Sequence, residues 1–147
     1  MNTNTTFNIT HTTFTVTVDE TKTVEELVSE GGHDHHDWDG LRINSKNFPR
    51  HENGAKSEKD IVLFHFGKKM TSGRIVGEME KEGYRPATAH ELLSLGIAHP
   101  ELQREFPVVA LGFPSISLWG RRAAYGHCFE HNWAGCHRFA GVLKQVY

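Results

Sequence analysis

From Thr12, the segment TTFTVTV sets Phe14, Val16 and Val18 alternately with threonines, which predicts a half-buried strand. Thr23 then precedes VEELVSE; Glu26, three residues on, completes a capping box and Gly31–Gly32 supplies a stop, so a helix is expected over about 24–30. Residues 31–59 carry turn residues throughout and are expected to be an irregular loop region. DIVLFHF, 60–66, predicts a strand. Ser72 is placed as the cap of a helix running through Glu82, with Ile75, Val76 and Met79 on one face and Gly83 ending it. YRPAT is expected to be a tight connection. Thr88 and Glu91 form a second capping box for AHELLSLG, and Pro100 to Glu105 looks like one further helical turn. FPVVALGF reads as a buried strand and SISLW as another. Glycine, alanine and short polar residues then run as loop to Trp133, and CHRFAGVLKQV closes the chain as a strand. Strand, helix, strand, two helices, then strands and loops is an α+β order without an internal repeat, expected as a single domain over 1–147.

Composition narrows the function classes. Net charge is −2 and no run of lysine or arginine occurs, which argues against a phosphate-tracking surface for nucleic acid and against a basic membrane-surface helix. The longest apolar runs, such as Pro107–Leu111, are far too short to span a bilayer. The first residues, MNTNTTFNITHTT, show neither a basic start nor an apolar stretch, and two cysteines make no disulfide framework, so the expectation is a cytoplasmic protein with reduced thiols. With 37% apolar residues and 14 glycines, a loop-rich fold is expected.

Histidine is the unusual residue: there are 11, clustered at 33–36 and 127–137. In HDHHDWD, the residues His33, Asp34, His35, His36, Asp37 and Asp39 are all metal-ligand types. Adjacent loop residues seldom converge on one ion, and the segment is read as a solvated polar loop. The second cluster, GHCFEHNWAGCHRFAG at 126–141, leaves three chemistries open. Cys128, His131 and Cys136 copy part of a zinc-knuckle spacing, but the position of a fourth ligand falls on Gly141; His137 is the other nearby donor. A zinc or copper protein using Cys128, His131, Cys136 and His137 is therefore the alternative reading. A nucleophilic cysteine needs a lowered pKa, and neither Cys128 nor Cys136 has a strand–turn–helix setting. No G-x-S-x-G, Walker A or G-x-G-x-x-G motif occurs.

The remaining chemistry is display. Between 118 and 137, aromatics alternate with Gly, Ala, His, Asn and Arg, the composition of protein-binding loops. Trp119 and Phe139 are assigned to the core. Tyr125, Phe129 and Trp133 are expected as exposed anchors, with Arg121, Arg122, His127, His131, Asn132 and His137 as polar contacts for an unknown protein or other ligand.

The stretch GYRPATAHELLSLGIAHPELQREFPVVALG, 83–112, followed by a terminal Trp…C-x-RFA-x-V, resembles a segment of short, mostly uncharacterised bacterial proteins. More distantly, the layout is similar to the C-type-lectin fold in its formylglycine-generating-enzyme variety, where an L-P-T-x-x-E helix start and a closing G-F-R strand flank an irregular region. Arg85-Pro86-Ala87-Thr88 with Glu91 matches the helix start and His137-Arg138-Phe139 the closing strand, without the Gly-Phe-Arg order. The resemblance implies a C-type-lectin-like domain with short helices, a small mixed or antiparallel sheet and long irregular loops. In that family the fold serves as scaffold for variable proteins of diversity-generating retroelements, whose C-terminal codons are rewritten at adenines. The enzymatic branch uses a copper-binding cysteine pair, of which Cys128 and Cys136 are reminiscent; its activity is not carried over. If the resemblance holds, the strand around 13–18 is expected to pair with the closing strand at 138–146. The expected function is a non-enzymatic binding module of bacterial or phage origin, carrying no cofactor.

Overall fold

The computed structural model describes residues 10–36, 42–112, 114–127 and 132–144. Strand β1 (Thr10–Asp19) runs antiparallel to β3 (Lys56–His65) over its whole length, from Thr10↔His65 to Asp19↔Lys56. Between them lie helix α1 (Val24–Glu30) and a three-residue strand, β2 (Asp34–His36). The region expected to be irregular thus holds β2 and the first part of β3. The polar start of β3, KSEKD, escapes a hydrophobic pattern because it pairs with β1 alone and is largely exposed.

The unbroken apolar run of β3 reflects burial on both faces. Ile61 and Leu63 face one core with α1, α3 (Ala89–Ala98) and α4 (Leu102–Glu105), through Val24, Leu27, Leu92, Leu93, Leu95 and Leu102. Val62 and Phe64 face a second core, against Ile75 and Met79 of α2 (Ser72–Lys81). The same alternation splits β6 (Val108–Ala110) and the closing strand β10 (Arg138–Leu143), where Val109 and Phe139 join the second core and Val108 and Ala140 the first.

The result is α+β with a mostly antiparallel sheet in the order β1-β3-β10-β6-β7-β8-β2, where β7 is Ser115–Trp119 and β8 is Ala123–His127. Among the described residues only β10–β6 and β2–β8 are parallel. Strand β10 has β3 on one side; on the other it pairs with β6 at its start and with β5 (Tyr84–Pro86) at its end. The segment YRPAT is therefore not merely a connection. Gly141 lets these partners close up: a Cβ there meets Met79 Cε at 2.6 Å and Phe64 Cε2 at 3.0 Å.

Strand β1 does not pair with the closing strand; β3 lies between them. The reason is compositional. The continuous apolar run of β3 fits a strand covered on both faces, whereas the alternation in β1, with its threonines exposed, fits an edge strand packed on one face. Both capping boxes form as expected, at Thr23–Glu26 and Thr88–Glu91. For α2 the cap is Thr71, whose side chain accepts from the Arg74 amide, and Ser72 is the first helical residue. Among the described residues no helix is long and apolar enough to cross a membrane.

Candidate functional site

On the second-core face, the far end of the sheet carries a cavity of about 360 Å³. Its floor comes from period-two geometry. Ile116 and Leu118 of β7 point into the first core, so Ser117 and Trp119 point the other way, beside Tyr125 and His127 of β8. The turn between these strands passes through Gly120 at φ 69°. The opposite wall is the 132–137 segment, which contributes Asn132, Trp133, Cys136 and His137.

That wall is strapped in place. Strand β9 (Asn132–Trp133) pairs with β4 (Met70–Thr71), and Trp133 Nε1 donates to Ser72 Oγ at 2.8 Å. His65 Nε2 donates to the Gly135 carbonyl at 2.9 Å. Gly135 sits so close to the Gly67–Lys68 backbone that a Cβ would lie 2.9 Å from Gly67 C. Inside, the Trp133 ring stands edge-on to His127 (5.2 Å, 78°) and to His137 (5.2 Å, 67°), with Phe139 at 6.0 Å. Ser117 Oγ and His127 Nε2 are 2.9 Å apart, a buried tie between β7 and β8. Trp119 and Tyr125 form a tilted pair at 6.4 Å.

Of the residues singled out from sequence, Tyr125, His127, Asn132, Trp133 and His137 line this one cavity. Their exposure differs from expectation. Trp133 is 3% exposed and His127 6%, so both are walls rather than free contacts, whereas Trp119, expected in the core, is 54% exposed. Phe139 is in the core as expected. Arg121 and Arg122 are exposed in the β7–β8 turn and do not line the cavity; Arg122 Nε lies 3.9 Å from Asp34 Oδ2. Cys128, Phe129 and His131 lie outside the described residues, as do Asp37 and Asp39. The expected loop over 120–132 includes β8, whose small residues Ala124 and Gly126 hide the strand alternation.

Sequence reading missed Ser117, whose signal was present in the alternation of Ser115, Ser117 and Trp119 with two aliphatic residues. Cys136 and His137 precede β10 and so do not diverge as strand neighbours do: Sγ and Nδ1 are 3.8 Å apart in a turn. Nδ1 also lies 3.0 Å from the Ala134 carbonyl, which only a protonated Nδ1 can satisfy. Among the described residues no three His, Cys, Asp or Glu side chains are grouped to hold a metal ion. No carboxylate lines the cavity among its described residues. The arrangement therefore offers flat aromatic surface with a few hydrogen-bonding groups, a pattern suited to holding a small or protruding apolar moiety. No protein-family model, curated protein or solved structure matches this chain.

Proposed function

We propose that this chain is a non-enzymatic binding protein whose ligand enters the cavity between the β7–β8 pair and the 132–137 strap. One observation carries the reading: five residues chosen from sequence as contacts, 125, 127, 132, 133 and 137, converge on a single aromatic cavity. The strap supports it physically, because a wall fixed by β4, Ser72 and His65 loses little conformational freedom when a ligand arrives. Trp119 and Tyr125 supply the accessible aromatic surface, and Asn132 and His137 the polar contacts.

The finer part of the proposal is a C-type-lectin-like scaffold, with 118–137 diversified by a retroelement in the cytoplasm of a bacterial or phage-infected host. What supports it is the resemblance at Arg85–Thr88 and Glu91, together with the pairing of that helix start, through β5, to the closing strand.

The test is a fragment screen by NMR on untagged protein, repeated with Trp119→Ala and Tyr125→Ala. Hits that shift Trp119, Tyr125 and Asn132 and weaken at least tenfold in these variants support the reading. Hits unaffected by both substitutions overturn the site, and stoichiometric zinc or copper in the purified protein replaces it with the metal-binding alternative. Sequencing codons 118–137 across a host population tests the diversification, which uniform codons there exclude.

A further inference from the structure

The opposite face of the sheet holds a second cavity, of about 270 Å³, under α4. The apolar part of its lining is Phe14 of β1, Leu63 of β3, Leu102 of α4 and Phe106 just beyond it. At one end stands Arg138, the first residue of β10, which points to this face because Phe139 points to the other.

The guanidinium of Arg138 lies 4.3 Å over the Phe106 ring and donates from Nη1 to the Cys136 carbonyl at 2.9 Å. Among the described residues no carboxylate lies within ion-pairing distance of it. Glu105 lines the same cavity, and it and Cys136 favour the charged guanidinium from beyond ion-pairing distance. Burial is the leading influence on Arg138 and pushes its pKa down. No ion pair among the described residues engages the guanidinium, and its planar fork matches a carboxylate in two parallel hydrogen bonds. Thr12 and His65 line the cavity as well, and His65 Nε2 is committed to the Gly135 carbonyl.

We propose that this cavity is a binding site for a small carboxylate with an apolar body, its carboxylate paired to Arg138 and its body held between Phe14, Leu63 and Leu102. The site lies across the sheet from the aromatic cavity and stands independently of the function proposed there. Its volume, about nine waters' worth at the ~30 Å³ each takes in the liquid, suits a body the size of hexanoate.

The experiment is an NMR titration of the full chain with hexanoate and with hexanamide, which keeps the shape and loses the charge. Saturable shifts at Thr12, His65 and Arg138 are expected for hexanoate, with hexanamide at least tenfold weaker. Arg138→Gln is expected to lose at least tenfold for hexanoate and nothing for hexanamide. The acid-to-amide comparison on the unmodified chain needs no variant to fold. Equal binding of acid and amide, no saturable binding of either, or shifts confined to Tyr125 and Trp133 overturns the proposal. A parallel titration with acetyl-glycyl-leucine, which ends in a peptide carboxylate, distinguishes the source: binding tighter than hexanoate assigns the site to chain ends, weaker binding to free acids.

Discussion

Glu91 is fully buried and carries four hydrogen bonds at once. Its carboxylate accepts two from Arg85 at 2.8 and 2.9 Å, one from Lys59 Nζ at 2.9 Å and one from the Thr88 amide at 2.8 Å. Burial alone raises its pKa, but the hydrogen bonds outweigh it and hold the value at about 2. The carboxylate is thus more acidic folded than unfolded, where about 4.5 applies. Its contribution is complete above pH 4.5 and is lost as the pH falls toward 2. Glu91→Gln removes the carboxylate charge facing Arg85 and leaves Lys59 with Glu20 alone, at 3.6 Å, and is expected to cost about 3–5 kcal/mol at pH 7. The penalty shrinks as pH drops toward 2; urea denaturation of both proteins between pH 7 and 2 measures it, and a constant difference contradicts the account. The tryptophans separate in the same assay. Trp133→Ala removes a buried wall and its bond to Ser72, at about 3–5 kcal/mol. Trp119→Ala, at an exposed position, stays within about 0.5 kcal/mol. Reversed costs would contradict the assignment of Trp133 to the wall and Trp119 to the open surface.

Elements with local causes were legible in the sequence, and those with distant causes were not. Helices α1 and α3 announce themselves through Thr23–Glu26 and Thr88–Glu91, because a capping box is complete within four residues. Strands β2, β5, β8 and β9 run two to five residues each, and what makes them strands is a partner far along the chain. Pro86 and Gly126 are poor strand residues that long-range pairing overrides. Gly141 shows the same dependence. Nothing near it in sequence explains a glycine, yet Met79 and Phe64 occupy the space of a side chain. Gly141→Ala is expected to cost about 1–3 kcal/mol through overpacking. Combined with Met79→Ala it should cost less than the two single changes added together, since the second makes room for the first. A double-mutant cycle by thermal or urea unfolding decides this, and simple additivity would rule out the steric cause.

For the whole molecule, the candidate site was legible in composition and illegible in orientation. The aromatic and histidine-rich segment does line a cavity, but which ring faces outward depends on the register of β7 and β9. Trp119 and Trp133 accordingly exchanged roles. Acidity also acts on the fold away from Glu91, in the same direction. His33, half-buried against α3, has its pKa lowered by burial in spite of its bond to Gln103 and the nearby Asp34 charge. Its unfolded form therefore takes up a proton first, and stability declines as pH falls below about 6.5, before Glu91 begins to titrate. Unfolding midpoints at pH 7.5 and 5 should differ, and His33→Gln should flatten that difference; an unchanged slope would place its origin elsewhere.

Strand β10 is the seam on which β3, β5 and β6 all close, and it comes late in the chain. During synthesis at about 5–20 residues per second, the roughly seventy residues separating β3 from β10 take on the order of 4–15 s to appear. For that interval the β1–β3 ladder waits with the inner edge of its most apolar strand open to any passing chain. A nascent chain paused before residue 138 is therefore expected to be more aggregation-prone than the completed chain, in which β10 covers that edge.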